Sequence, residues 1–127
     1  MIRAAVLAAA LGLSRVPSQD AVDAVEREAL RARVPVSLAL AVCTLESGLG
    51  TRGAILCGCM VRDRSPAAQA RCIAGTLAHG RGACGSWPGA LRRYRYGLRD
   101  HGCPIADPQS YVARVEALQR AVRAATR

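Results

Sequence analysis

VSLALAVCTLES, residues 36–47, can be laid out as a strand or as a helix, and the choice decides the fold. Val36, Leu38, Leu40 and Val42 alternate as they would on a half-buried strand. The run is nevertheless apolar on nearly all sides for about a dozen residues, long for a strand, and it carries Ala39 and Ala41. Length and alanine content favour a buried helix. A helix buried all round needs other helices about it.

The flanks supply them. DAVDAVEREALRAR (20–33) sets Val22, Val25, Ala29 and Leu30 on one face with Asp20 as N-cap, which predicts a helix to about Arg33, ended by Pro35. Beyond residue 47, Gly48, Gly50, Gly53 and Gly58 make GLGTRGAILCGCMVRD (48–63) a loop whose backbone can approach a ligand closely. SPAAQARCIAGTLAHG (65–80) starts a helix on Ser65 and Pro66, and Gly80 and Gly82 are expected to stop it. SWPGALRRYRYGL (86–98) reads as a further helix after Ser86. DPQSYVARVEALQRAVRAA (107–125) reads as the last, with Asp107 as cap, Pro108 in the first turn, and Val112, Val115, Leu118 and Val122 on one face. There are no internal repeats, and the expected fold is all-α.

A chain of 127 residues is one domain with a small core. Phe is absent and aromatics are 3%, so burial must rest on Leu, Val and Ala packed between close helices. At the N-terminus, MIRAAVLAAALGL has a basic start at Arg3 and an apolar stretch from Ala4 to Leu13 too short to span a bilayer. Residues 1–18 are therefore expected to be a signal peptide or leader and 19–127 the folded domain, with no stable membrane insertion; the alternative for the apolar stretch is an amphipathic or core helix. Six cysteines (Cys43, Cys57, Cys59, Cys72, Cys84 and Cys103) suit up to three disulfides in an oxidising compartment, with the connectivity open. The rival is zinc. Only Cys57 and Cys59 are closely spaced and only His79 and His101 could assist, so the pattern favours disulfides, with no metal and no cofactor expected.

Eighteen basic residues, all Arg, face nine acidic ones. A charge of +9 suits a polyanionic partner, and nucleic acid, anionic headgroups and a carboxylate-bearing wall polymer all qualify. Among so few acids, Glu46 stands out at the end of the apolar run. Burial and the negative end of a helix dipole both disfavour an ionised carboxyl there. A carboxyl held protonated can donate to a glycosidic oxygen. The plainer alternative is an acid that only points into solvent at a helix end. Asp63 and Asp100, the other loop carboxylates, each sit beside Arg and suit surface ion pairing.

The order VPVSLALAVCTLESGLGTRGA, GCM, YRYG, YVARV, across roughly Val34 to Val122, resembles the soluble lytic transglycosylases and the related goose-type lysozymes. Glu46-Ser47-Gly48 matches that family's E-S-G, which supplies the catalytic acid. Gly53-Ala54 and Gly58-Cys59-Met60-Val61 are similar to its groove-lining G-A and G-L-M-Q segments, with two extra residues between the halves and Val61 in place of Gln. Tyr94-Arg95-Tyr96-Gly97 is similar to Y-N-x-G with Arg for Asn, and Tyr111 to Val115 matches Y-x-x-R-V.

The resemblance implies a lysozyme-like fold and an enzyme that cuts the β-1,4 bond between N-acetylmuramic acid and N-acetylglucosamine in peptidoglycan. Glu46 would be the single catalytic residue, giving a 1,6-anhydro product, with Ser47, Met60, Tyr94 and Tyr111 contacting substrate. For Tyr111 the alternative is a core tyrosine, and for Tyr94 a solvated face. The expected partner is a peptidoglycan glycan strand, met by a monomer that is secreted, periplasmic or phage-associated. Three other readings compete: a hydrolytic lysozyme with the same acid, a lysozyme-like module that binds wall without cutting it, and a nucleic-acid-binding domain suggested by LRRYRYGLR. Six cysteines and the lack of a nucleic-acid motif weigh against the last.

Overall fold

The structure, a computed structural model, describes residues 1–53, 55–59, 61–97 and 102–127. Met60, Asp100 and His101 lie outside the described residues. All regular elements within them are helical. Residues 36–47 do form a helix: α3 (Val36–Ser47) is buried from Leu38 through Thr44, and Leu40 and Val42 have no exposed surface. Burial on every side explains why its apolar positions show no helical periodicity. Each fully buried Leu contributes about 1.5–3 kcal/mol.

Before it come α1 (Ala4–Leu11) and α2 (Gln19–Ala32). Residues 1–18, read above as a leader, hold α1 packed against the C-terminal helix with Leu7 fully buried. The Gln19 side chain ties the two ends of this segment together, accepting from the Ala4 N–H at 3.0 Å and donating to the Ile2 carbonyl at 2.7 Å. Helix α2 is capped by Ser18, which accepts from the Ala21 N–H, and not by Asp20, which falls in the first turn where it complements the helix dipole. Buried in α2 is Glu28, only 2% exposed and paired with Arg31 and, across the helix interface, with Arg71. Burial of that carboxylate depends on both cations.

Helix α4 (Pro66–Cys84) starts on Ser65 and Pro66 as expected but runs through Gly80 and Gly82 to end at Gly85. Gly80 is needed inside the helix rather than at its end. A Cβ there would stand 3.2 Å from the Ala90 backbone, so its absence lets α4 and α5 (Trp87–Arg92) approach closely. Ser86 caps α5 through the Gly89 N–H, and Arg81 lies over the Trp87 ring at 5.8 Å, which fixes Trp87 as a packing residue between α4 and α5. The expected single helix from Ser86 is in fact two pieces, because after Arg92 the chain widens into a π-helical turn, Arg93–Gly97. Helix α6 (Tyr111–Ala125) closes the bundle against α3 and α1. It begins later than Asp107 and Pro108, since Ser110 takes a left-handed conformation at φ 51° immediately before it.

All six cysteines pair, as Cys43–Cys57, Cys59–Cys72 and Cys84–Cys103. None keeps a free thiol. No helix among the described residues is long and apolar enough to cross a membrane.

Candidate functional site

Glu46 sits in the last turn of α3, half-buried. Directly after it the chain reverses through three left-handed residues, Gly48 (φ 61°), Leu49 (φ 57°) and Gly50 (φ 84°). The first and third are glycines, which adopt that region freely. Leu49 accepts the strain by burying its side chain almost completely, at 1% exposure. The free carbonyls of the helix end are taken up by Gly48 N–H on Thr44, Leu49 N–H on Cys43, and a guanidinium N–H₂ of Arg52 on both Thr44 and Leu45. An arginine on the negative end of α3 also offsets its dipole.

Ser47 shapes this reversal. Its buried hydroxyl shares its one hydrogen between the carbonyls of Cys43 and Leu56 and accepts from the Gly50 N–H at 3.0 Å. Gln69 is buried at 3% exposure and accepts from the Leu56 N–H while donating to the Arg64 carbonyl. The 48–63 loop is thus held on hydrogen bonds from α3 and α4 as well as by two disulfides. Asp63 forms no ion pair among the described residues: its carboxylate accepts from the Ser65 N–H at 2.9 Å, which, with the Ser65 hydroxyl, holds it below the usual carboxylate range.

Three segments meet at the Glu46 carboxyl. From α6, the Tyr111 hydroxyl donates to Oε1 at 3.1 Å. From the loop, Gly58 at φ 80° lies so close that a Cβ on it would stand 3.2 Å from Oε2 and 2.9 Å from the Tyr94 hydroxyl. From the π-helical turn, Tyr94 donates to the Cys57 carbonyl at 3.2 Å and its ring lies 6.3 Å from that of Tyr111. Cys57 and Cys59 flank Gly58 and tie it to α3 and α4 respectively. Burial, reinforced by the neighbouring Glu46 carboxylate, pushes the phenols of both Tyr94 and Tyr111 far above their usual value. Both therefore remain neutral hydrogen-bond donors at any physiological pH.

Tyr111 is a core residue, at 2% exposure the largest fully buried side chain, and its hydroxyl also reaches Glu46. Of the other residues singled out in the sequence, Tyr94 joins this group, Ser47 stands behind it, and Met60 lies outside the described residues. Of the support beneath Tyr111, only the cap Asp107 was legible in the sequence. Both oxygens of Asp107 receive the first amides of α6, from Tyr111 at 2.8 Å and Val112 at 2.9 Å, and one of them also accepts the Tyr96 hydroxyl. Asp107 caps the helix as expected of it, but from four residues upstream of the first helical residue. Arg95 extends over the Tyr111 ring at 5.6 Å and donates through Nε to Gln109 Oε1 at 2.8 Å. A cavity of about 330 Å³ bounded by Leu49, Leu56 and Gln69 has neither Glu46 nor its tyrosines in its wall.

A half-buried carboxyl with one oxygen held by a neutral phenol and the other beside bare backbone can give up or accept a proton while a substrate comes close to it. Comparison of the chain with family models, curated proteins and solved structures finds no match.

Proposed function

We propose that the protein is a lysozyme-like enzyme, a lytic transglycosylase that cleaves the MurNAc-GlcNAc β-1,4 bond of peptidoglycan, exported to an oxidising compartment. The observation that carries this reading is the Tyr111–Glu46–Gly58 contact. It joins the E-S-G, G-C-M and Y-V-A-R-V segments, about which the sequence resemblance was built, around one carboxyl. Three disulfides support the compartment.

In this reaction Glu46 in its acid form protonates the glycosidic oxygen, and the bond from that oxygen to C1 of the muramoyl residue breaks. The sugar's own acetamido group stabilises the cationic C1. Glu46, now a carboxylate, takes the proton from the muramoyl 6-hydroxyl as its oxygen attacks C1, closing the 1,6-anhydro ring and restoring the acid without water. An intramolecular nucleophile replaces the second carboxylate that most glycosidases need. Tyr111 fixes the rotamer of Glu46 through both half-reactions. Gly58 leaves the other carboxyl oxygen open to the scissile bond, and Tyr94 holds the loop that carries Gly58.

Mass spectrometry of digested sacculi tests the reading. The expected products end in 1,6-anhydro-muramic acid, and Glu46→Gln lowers the rate by about 10²- to 10⁴-fold. Products that all bear reducing ends would assign a hydrolase instead, and wall lysis unchanged by Glu46→Gln would remove Glu46 as the acid.

A further inference from the structure

Arg95 is an exposed cation at the edge of the Glu46 group. It is held in two directions, by its Nε bond to Gln109 and by the face of the Tyr111 ring whose hydroxyl binds Glu46. A guanidinium tethered through Nε keeps both terminal N–H₂ groups on one edge, the arrangement that meets a carboxylate with two parallel hydrogen bonds. No carboxylate among the described residues lies within ion-pair distance of it; the ion pairs formed there belong to Glu28. The charge is nonetheless felt at the site, since Arg95 opposes the upward displacement of both Tyr94 and Tyr111.

A cation has a cost beside a reaction centre that itself becomes positive. Repulsion between Arg95 and a cationic C1 slows cleavage of a neutral glycan. A substrate carboxylate seated on Arg95 removes that repulsion and adds charge-assisted hydrogen bonds. One side chain then discriminates twice, against neutral polymers and in favour of anionic ones. We propose that Arg95 is a specificity-determining residue that binds a carboxylate of the peptide borne by the glycan strand, so that the protein selects peptide-bearing, anionic strands over neutral N-acetylglucosamine polymers or amidated strands. This inference rests on the peptidoglycan reading for the identity of the glycan.

The test compares soluble peptide-bearing glycan strands with the same strands after chemical amidation of their carboxylates. Rates are measured for the wild type, Arg95→Gln and Arg95→Lys, and binding is measured separately in a Glu46→Gln background. The wild type is expected to favour the carboxylate form about 10-fold or more in kcat/KM and in Kd, the margin for hydrogen bonds to a charged group, and to lose part of that preference at high salt. Arg95→Gln is expected to bring the ratio to within about twofold, and Arg95→Lys, which keeps charge without the fork, to restore part of it. A wild-type ratio retained by Arg95→Gln overturns the assignment. So does an equal loss on both strands, which would leave Arg95 only holding Tyr111 and Gln109. If the wild type cleaves neither strand, the enzymatic reading fails, while the binding ratio still decides the role of Arg95.

Discussion

At the scale of single residues, the site depends on one hydrogen removed and one hydroxyl supplied. Gly58 combines a left-handed φ with a Cβ position already occupied by Glu46 and Tyr94. Gly58→Ala must therefore strain the backbone by about 1–2 kcal/mol and displace the acid as well. Activity is expected to fall at least tenfold while the helical circular dichroism stays unchanged. Tyr111→Phe keeps the buried ring and removes only the bond to Glu46 Oε1. A hydrogen bond to a charged group is worth about 1.5–3 kcal/mol, so kcat is expected to drop about 10- to 100-fold with KM nearly unmoved. An unchanged kcat would reduce Tyr111 to a core residue.

At the scale of elements, α6 brings its first residue to the acid, and the start of α6 is held from outside the helix. Asp107 takes two amides of that helix and the Tyr96 hydroxyl from the π-helical turn. Burial alone would raise the Asp107 carboxyl. The Tyr96 hydroxyl, the Val112 and Tyr111 amides and the Arg92 charge outweigh it and leave the group below its usual range. A carboxyl depressed on folding stabilises the fold at pH values above its unfolded value, about 3.9, and that contribution disappears as pH falls through the folded value. Asp107→Ala should thus lower the thermal midpoint at pH 7 and flatten its decline below about pH 4. The part of that decline due to Asp63, also held low, should persist.

The same elements show what was legible in the sequence. Ser65-Pro66 marked the start of α4 because a cap and a first-turn proline act within a few residues. The apolar run of α3 marked a buried helix because its length exceeds that of a strand. Gly80 misled, since glycine ends helices by its own freedom but here serves a neighbour, Ala90, that the local sequence does not specify. The break after Arg92 and the late start of α6 are set by tertiary bonds, Tyr96 to Asp107 and Arg92 to the Pro104 carbonyl at 2.8 Å, which leave no periodic trace. At the site, Glu46 and Tyr111 could be named from motif order. The roles of Ser47, Gln69 and Arg95 depend on which backbone and ring atoms the fold places beside them.

At the scale of the molecule, the small helical core and the disulfides have separate tasks. Leu7, Leu38, Leu40, Ile73, Leu77 and Val115 pack the helices together, and the 48–63 loop joins the same core through its apolar anchors Leu49 and Leu56. Replacing Cys43 and Cys57 together by Ser releases a loop of 14 residues' separation. It is expected to cost about 2–4 kcal/mol, read as a shift in the denaturation midpoint, and to cost proportionally more activity than Leu77→Ala, a core change of about 2–5 kcal/mol that spares the loop. Equal losses of activity at matched stability would show that the bond serves the core alone.

The two bonds on either side of Gly58 also separate two moments in the life of the chain. Helices packed by apolar side chains need no oxidised sulfur to meet, whereas the wall beside Glu46 gains its covalent ties only when Cys57 and Cys59 are joined to α3 and α4. A chain still in a reducing compartment would hold that loop by its hydrogen bonds and apolar anchors alone. On the proposed reading, oxidation after export would complete the groove beside the acid as well as the fold.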